Sequence, residues 1–390
     1  MAHRIRVLLL IPHLGGGGAE QVTALLARGL SREKYDLHLG LVTQTAVSGD
    51  NFQAGIAVHA LGARRVRAGA WRLLRLVREL RPEVVLSGMF HLNFLVLLLR
   101  PLFPRGTRLL VRQNATVSAA LAAGGLPRPT RFLYRILYRH ATRVICASRA
   151  MADDLVVTAD LPRSLSAVLA NPLDLEGILA ARRAPVPWPG PGPHLLAVGR
   201  LAAEKGFDLL LEAFAAVRDR FPAADLVIAG AGPEEHALKA ARRRLEMEDA
   251  VHLPGHIDNP YALFPGATLF VLSSRHEGMP NALLEAMAGG LPVVASPASG
   301  GVIELLRERP GSWLAPEISA AALANTLLAA LEALQAGSPR PMPGLTGQTP
   351  LDSEAMPAFP DALYASAPSF STAIAAYEDL IDTVCAVGQR

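Results

Sequence analysis

The sequence predicts an α/β protein built from two doubly wound parallel-sheet domains facing a central cleft. Three observations predict it. Short apolar runs alternate with helical patterns from the first residues onward, and the alternation breaks at a proline- and glycine-rich stretch, residues 184–193, before it restarts. At 390 residues, the chain is long enough for two domains of ordinary size, each with its own core.

In the first half, the apolar run 5–11 is followed by a helical pattern at 19–30, then by runs at 36–42 and 56–61. A helical pattern at 71–80 leads to a strand at 84–86, another at 94–99 leads to 108–111, and 131–138 leads to 143–146. The loop after the first strand reads Pro12-His13-Leu14-Gly15-Gly16-Gly17-Gly18-Ala19-Glu20. Its glycines let a ligand approach the backbone closely, with N–H groups available to point at it. Glu20 stands where a dinucleotide fingerprint needs glycine, so that reading fails. After the Pro/Gly stretch, which reads as a stiff linker, the pattern resumes at 194–198, 208–216, 225–229, 234–245 and 250–253. Val198-Gly199-Arg200-Leu201 ends a strand and Glu204-Lys205-Gly206-Phe207-Asp208 opens a helix, which puts two cations where a diphosphate could be clamped.

The stretch 268–294 organises the rest. It reads as a buried strand, a turn at Glu277-Gly278-Met279-Pro280, a short helix ended by Gly289-Gly290, and a second strand after Pro292. Such a turn offers unpaired N–H groups and the positive end of a helix dipole to a phosphate. Glu277 precedes the helix and Glu285 lies roughly 7 Å further along its axis at about 1.5 Å per residue, too far for a shared metal or a proton-sharing pair. A ligand with a diphosphate in the middle and hydroxyls at both ends would use both carboxylates. On spacing alone, a turn residue and a helix-surface acid fit equally well.

Composition narrows the classes. The 51% hydrophobic content and a mean hydropathy of +0.28 suit a large α/β protein or a membrane one, but the candidate runs 90–99 and 263–271 are too short or broken for the roughly 20 residues of a spanning helix. Arg4 and Arg6 ahead of an apolar run could pass for a signal peptide, yet no small-residue cleavage pattern follows. Two cysteines, Cys146 and Cys385, make no disulfide framework and favour a reducing cytoplasm. No metal site is expected: there is no Asp-x-Asp, Asp174 reads as a helix cap, and His252 and His256 straddle Pro254-Gly255.

The charge is unevenly placed. Residues 1–185 hold 25 Lys+Arg against 11 Asp+Glu, or +14, while the remainder carries −10. Arginines at 64, 65, 67, 72, 75, 78 and 81 interleave with apolar residues, and Arg131, Arg135 and Arg139 recur at helical spacing. The pattern predicts peripheral contact of the first domain with an anionic membrane, and the absence of any recognition motif argues against nucleic acid.

Glu277-Gly278-Met279-Pro280-Asn281, Glu285-Ala286-Met287-Ala288 and Gly290-Leu291-Pro292-Val293-Val294 resemble the glutamate-x7-glutamate signature of the family 4 retaining glycosyltransferases. The resemblance spans about residues 5–335 and implies the GT-B fold of two Rossmann-like domains. It implies that Glu277 faces the donor sugar, that Gly278, Met279, Pro280 and Asn281 line the donor phosphate and sugar, and that Glu285 holds the ribose hydroxyls. Arg200 and Lys205 match the family's Gly-Arg-Leu-x-x-Glu-Lys-Gly, which makes them diphosphate ligands, and Gly17 and Gly18 match its glycine loop on the opposite side of the donor. Gly230-Ala231-Gly232-Pro233 and Ser299-Gly300-Gly301 match family turns as well.

The first domain departs from the pattern. Relatives commonly carry a histidine after the fourth strand, where this chain has Gly88, with His91 one helical turn on. Either His91 substitutes for it as a catalytic group, or a backbone carbonyl and Asn93 serve instead. Arg112 and Asn114 complete a tentative acceptor side. The implied activity is a retaining, metal-independent hexosyltransferase that moves a sugar from a nucleoside-diphosphate sugar to a lipid-linked or cell-envelope saccharide, with no cofactor. An epimerase or phosphorylase of the same shape and a non-catalytic membrane-surface relative are the alternatives. Residues 337–360 read as a flexible insertion within a second domain at 194–365, and 366–390 as a helix returning to the first domain at 1–183.

Overall fold

The computed structural model describes residues 3–14, 17–43, 55–122, 130–307, 309–336 and 369–386, so the expected insertion at 337–360 lies outside the described residues, as do Gly15 and Gly16. The chain divides into two compact units, Met1–Leu173 with Pro368–Arg390, and Asp174–Ala367.

The first unit runs β1 (Ile5–Ile11), α1 (Gly18–Gly29), β2 (Tyr35–Leu41), β3 (Ala57–Ala60), α2 (Ala70–Leu80), β4 (Val84–Ser87) and α3 (Phe90–Leu99). It continues with β5 (Arg108–Arg112), α4 (Val117–Ala122), α5 (Thr130–Leu137), β6 (Arg143–Cys146), α6 (Arg149–Ala159) and β7 (Ser166–Val168). Its seven strands pair in parallel in the order β3-β2-β1-β4-β5-β6-β7. Val7 through Ile11 are fully buried without alternation, which is what helices on both faces of a parallel sheet require. Helix α2 turns Leu73, Leu74, Leu76 and Val77 inward and leaves its arginines exposed.

The second unit runs α7 (Leu175–Ala181), β8 (His194–Val198), α8 (Phe207–Arg220), β9 (Asp225–Ala229), α9 (Glu235–Arg244), β10 (Val251–Gly255) and β11 (Leu269–Leu272). After these come α10 (Asn281–Ala288), β12 (Val293–Ala295), α11 (Gly300–Leu306), β13 (Ser312–Leu314) and α12 (Ala320–Gln335). Six parallel strands take the order β10-β9-β8-β11-β12-β13.

A last helix, α13 (Phe370–Ala386), belongs to the first unit, where Ile374, Tyr377, Ile381 and Val384 join the core beside α1. Glu378 accepts from Ser31 N at 2.9 Å and from Lys34 Nζ at 2.9 Å, and Tyr35 donates its hydroxyl to Asp382 at 2.7 Å. Helix α13 is thus held by packing and by charge.

The Pro/Gly stretch, read from composition as a stiff linker, is stitched to the second unit. Val186 N donates to Ala262 O at 3.2 Å, Trp188 Nε1 to Leu263 O at 3.1 Å and Gly190 N to Asp225 Oδ2 at 2.8 Å. Trp188 also stacks on His194, which bonds Asp225 at 2.6 Å. The unit boundary therefore falls at Leu173/Asp174, ahead of the stretch, with Asp174 capping α7 through Gly177 N. Composition reveals where a chain lacks regular structure, whereas a tryptophan and an aspartate decide whether it is bound.

In each sheet the order reverses beside the unit's first strand, between β1 and β4 and between β8 and β11. Loops leaving the carboxyl ends of those neighbours diverge to opposite faces and open a crevice at the sheet edge.

Candidate active site

In the second unit the loops after β8 and β11 flank the reversal, and they carry Arg200, Lys205 and Glu277. Lys205 Nζ meets Glu277 Oε1 at 2.5 Å, and Ser274 Oγ donates to the same oxygen at 2.8 Å. The lysine side chain is 24% exposed and the glutamate 11%, so this pair is shielded from solvent while still reachable. An ammonium has three donors, so Lys205 can keep Glu277 and take a phosphate oxygen as well.

The two loops are tied to each other by groups that motif reading alone did not single out. Ser273 Oγ donates to Lys205 O at 2.8 Å, and Arg275 N donates to Glu204 O at 2.8 Å. The Arg275 guanidinium bridges to Asp208 through Nη1 at 2.7 Å and Nη2 at 2.6 Å, and reaches Ala203 O at 3.0 Å. That fork holds the Asp208 carboxyl below its usual range, chiefly by hydrogen bonding. Gly206 adopts φ +61°, and a Cβ there would strike Ser273 O, so glycine is needed for both the turn and the close approach. The available sequence signal was the run Ser273-Ser274-Arg275 directly after a buried strand, with both serines only 1% exposed.

Around Glu277 the backbone is fixed from the β12–α11 side. Glu277 N donates to Ala298 O at 3.1 Å, and Ser299 Oγ, which caps α11, donates to Gly278 O at 3.0 Å. Pro280 is the N-cap of α10, Gly278 and Pro280 are buried, and Met279 and Asn281 are half-buried. Glu285 is 7% exposed on the second turn, so it is not the helix-surface acid that spacing alone allowed. On the other side, a Cβ at Gly230 would strike Gly199 O and one at Gly232 would strike Leu201 O. The loop after β9 therefore lies directly against the loop after β8, and Leu201 N donates to Ala231 O at 3.0 Å.

Arg200 is placed differently. Its side chain is 68% exposed and pairs with Glu204 at 2.5 Å, an exposed contact worth at most about 1 kcal/mol, so a bound anion could recruit it at little cost.

In the first unit, neighbouring strands β1, β4 and β5 bring the remaining predicted residues to one sheet edge. Gly17 is the N-cap of α1 and Gly18 its first residue; a Cβ on Gly17 would crowd the Glu20 carboxylate. His91 sits exposed in the first turn of α3, its ring edge-on to Phe90 at 5.2 Å.

Asn93, Arg112 and Asn114 form a scaffold. Asn93 is fully buried and donates to Arg112 O at 2.9 Å, while its Oδ1 has no hydrogen-bond partner. Arg112, 4% exposed, donates to Asn114 Oδ1 at 2.6 Å and Asn171 Oδ1 at 2.5 Å. Asn114 in turn donates to Gly88 O. Beside them Tyr138 donates to Gln113 Oε1 at 2.9 Å, and burial pushes the Tyr134 hydroxyl up to about 12, so both tyrosines stay neutral hydrogen-bonding groups. Burial likewise raises the Cys146 thiol to about 12, which rules out an activated thiolate. Among the described residues, no group of three or more His, Cys, Asp or Glu side chains is placed to hold a metal ion.

Two parallel-sheet units, each with a topological switch point beside its first strand, make the GT-B fold. Residues 192–333 match the family described as Glycosyl transferases group 1, and residues 16–176 match Glycosyltransferase Family 4. The chain belongs to the family 4 glycosyltransferases.

It is similar to the Campylobacter jejuni N-acetylgalactosamine-N,N'-diacetylbacillosaminyl-diphospho-undecaprenol 4-alpha-N-acetylgalactosaminyltransferase, with 28% identity over 76% of this chain and 82% of that one. A putative colanic acid biosynthesis glycosyltransferase of Escherichia coli, WcaL, is 35% identical but over only 37% of each chain. The crystal structure of Anabaena HepE in complex with UDP and glucose superposes with a TM-score of 0.75, covering 97% of this chain and all of that one at 17% identity.

Proposed function

We propose that the protein is a retaining, metal-independent hexosyltransferase that moves a sugar from a nucleoside-diphosphate sugar to a hydroxyl of a lipid-linked or cell-envelope saccharide, at the cytoplasmic face of a membrane. The observation that carries the reading is the Lys205–Glu277–Ser274 cluster at the β8/β11 switch point, with Glu285 buried one helical turn deeper. Lys205 and the recruitable Arg200 supply the positive charge that a departing diphosphate needs, the role a metal plays in other transferases. Glu277 faces the sugar, Glu285 the ribose hydroxyls, and Gly17 and Gly18 the donor from the first unit.

In the reaction the acceptor hydroxyl attacks the anomeric carbon from the face that the diphosphate leaves. The bond from the anomeric carbon to the phosphate oxygen breaks with its electron pair going to the diphosphate, and the hydroxyl proton passes to a departing phosphate oxygen. No protein nucleophile is consumed, so Glu277 acts by position and charge. His91 is the exposed polar group on the acceptor side. The relative that acts on a diphospho-undecaprenol-linked sugar and the HepE complex with UDP and glucose support the choice of acceptor and donor classes.

The test is a screen of nucleotide sugars by thermal shift, followed by transfer to lipid-linked acceptors in the presence of EDTA. The expected result is release of nucleoside diphosphate that depends on acceptor, survives EDTA and gives a product with the donor's anomeric configuration. Inverted product, loss of turnover with EDTA, or diphosphate release without acceptor would each refute the corresponding part.

A further inference from the structure

Helix α10 carries Glu285, and whatever fixes that helix fixes the carboxylate. Its amino end is set by the contacts at Glu277 and Gly278. Its carboxyl end is gripped from α7, which packs against it. Arg182, the residue that closes α7, donates from Nη1 to Gly289 O at 2.8 Å, and Gly289 N donates to Glu285 O at 2.7 Å. Two hydrogen bonds therefore lead from the Arg182 guanidinium to the main chain of Glu285.

The grip is itself supported. Asn259, at the start of the 3-10 helix Pro260–Gly266, donates to Ala181 O at 3.0 Å and so fixes the residue before Arg182. Phe264 of the same 3-10 helix fills the space where a side chain at Gly289 would stand, so only glycine allows this close approach. Helix α7 is the first element of the second unit, and Asp174 caps its start.

Helix α10 does not need the arginine in order to form. The N–H groups of Gly289, Gly290 and Leu291 already close its last turn on the carbonyls of Glu285, Met287 and Ala286, at 2.7, 3.0 and 2.9 Å, and Leu283, Ala286 and Ala288 are buried in the core. A carbonyl left over at a helix end can be met by water. Here it is met by a half-buried guanidinium, which burial lowers below its ordinary pKa. Ordering and desolvating a long cationic side chain costs free energy, so what the contact adds is a fixed position, with the cation at the negative end of the α10 dipole.

We propose that Arg182 is a positioning residue of the donor site: by holding the carboxyl end of α10 it sets where Glu285 meets the ribose of a nucleoside diphosphate. The inference rests on the reading of Glu285 as the ribose ligand. It goes beyond that reading in placing control of donor affinity on a residue 107 positions away from its partner and outside every motif of the site. Fractions of an ångström decide the strength of such a contact, which is why the support of the helix matters.

The experiment is a double-variant cycle on the full chain, read by calorimetric titration of whichever of UDP, GDP, ADP and CDP raises the Tm of the wild type most. Arg182→Met is expected to weaken binding by roughly three- to tenfold, within the range for residues coupled through one hydrogen-bond network, and to add less than about twofold in a Glu285→Ala background. Arg182→Lys, which keeps a cationic donor, is expected to recover most of the affinity. Arg182→Gln serves the same cycle if circular dichroism shows the methionine variant unfolded. Equal weakening with and without Glu285 would make the arginine a general stabiliser of the unit, and unchanged affinity in Arg182→Met would make the contact idle; either result overturns the proposal. Wild-type affinity in Glu285→Ala, or binding of none of the four nucleotides, would instead remove the ribose reading and this proposal with it, so the two failures are told apart.

Discussion

The two sheet edges share a topology and differ in what they do with it. At the β8/β11 edge, charged side chains reach across two loops, and those loops are latched by Ser273, Ser274 and the Arg275–Asp208 fork. At the β1/β4/β5 edge, the polar side chains are spent on the scaffold: Asn93, Arg112, Asn114 and Asn171 bond to each other or to the backbone, and His91 is left exposed. A parallel sheet supplies a crevice without deciding its chemistry. Charge held ready at one edge suits a constant ligand such as a diphosphate, and an edge whose Arg112 charge is already engaged by asparagines suits an acceptor recognised mostly by shape.

The contrast can be broken experimentally. Lys205→Met or Glu277→Gln should lower kcat/KM by about 10²–10³-fold, the range for losing one preorganised charged contact, as read in steady-state transfer assays. An Arg112→Met variant should cost about 1.5–3 kcal/mol in denaturant unfolding, since it removes charge-assisted bonds to two asparagines inside the first unit, while leaving nucleoside-diphosphate affinity unchanged. If Arg112→Met instead weakened the diphosphate and left stability alone, the division of roles would be reversed. Glu285→Ala should weaken donor binding by about 1.5–3 kcal/mol in calorimetry, and unchanged affinity would remove Glu285 from the site.

A smaller effect tests the latch. The Asp208 carboxyl is depressed, first by hydrogen bonds from Arg275, so the stability it contributes is present above its unfolded value of about 3.9 and is lost as pH falls through the folded value. Asp208→Asn should therefore cost at most about 1 kcal/mol at neutral pH, and the difference should vanish in acid. Smallest of all, His91→Ala should leave stability within about 0.5 kcal/mol, because the side chain is exposed, and change only the KM for acceptor.

Much of this was legible in the sequence. Uniform apolar runs such as 5–11 announced buried parallel strands, whereas Glu277 and Glu285 were singled out by the resemblance to the family signature, since spacing alone did not separate them from a turn residue and a surface acid. Strands β7 and β13 were not legible, being only three residues long. The serine latch was also silent, because a buried hydroxyl beside a strand looks like a turn residue until its acceptor is known. Asn93 and Arg112 were hard to place for the opposite reason. Polar residues at strand ends and in a helix's first turns suggest a ligand, and here they are bonded into the interior, with Asn93 Oδ1 and Arg112 Nε left without a partner. The Pro/Gly stretch shows the same limit, since Asp225 and Trp188 bind it down from sites its own composition does not reveal.

The measurement that bears most directly on the central claim is calorimetric titration of nucleoside diphosphate into the wild-type chain, Lys205→Met and Arg112→Met. The account predicts binding to the wild type, at least tenfold weaker binding to Lys205→Met, and wild-type affinity in folded Arg112→Met, since only the second unit's charged edge grips the diphosphate. Equal affinities for the wild type and Lys205→Met would contradict it.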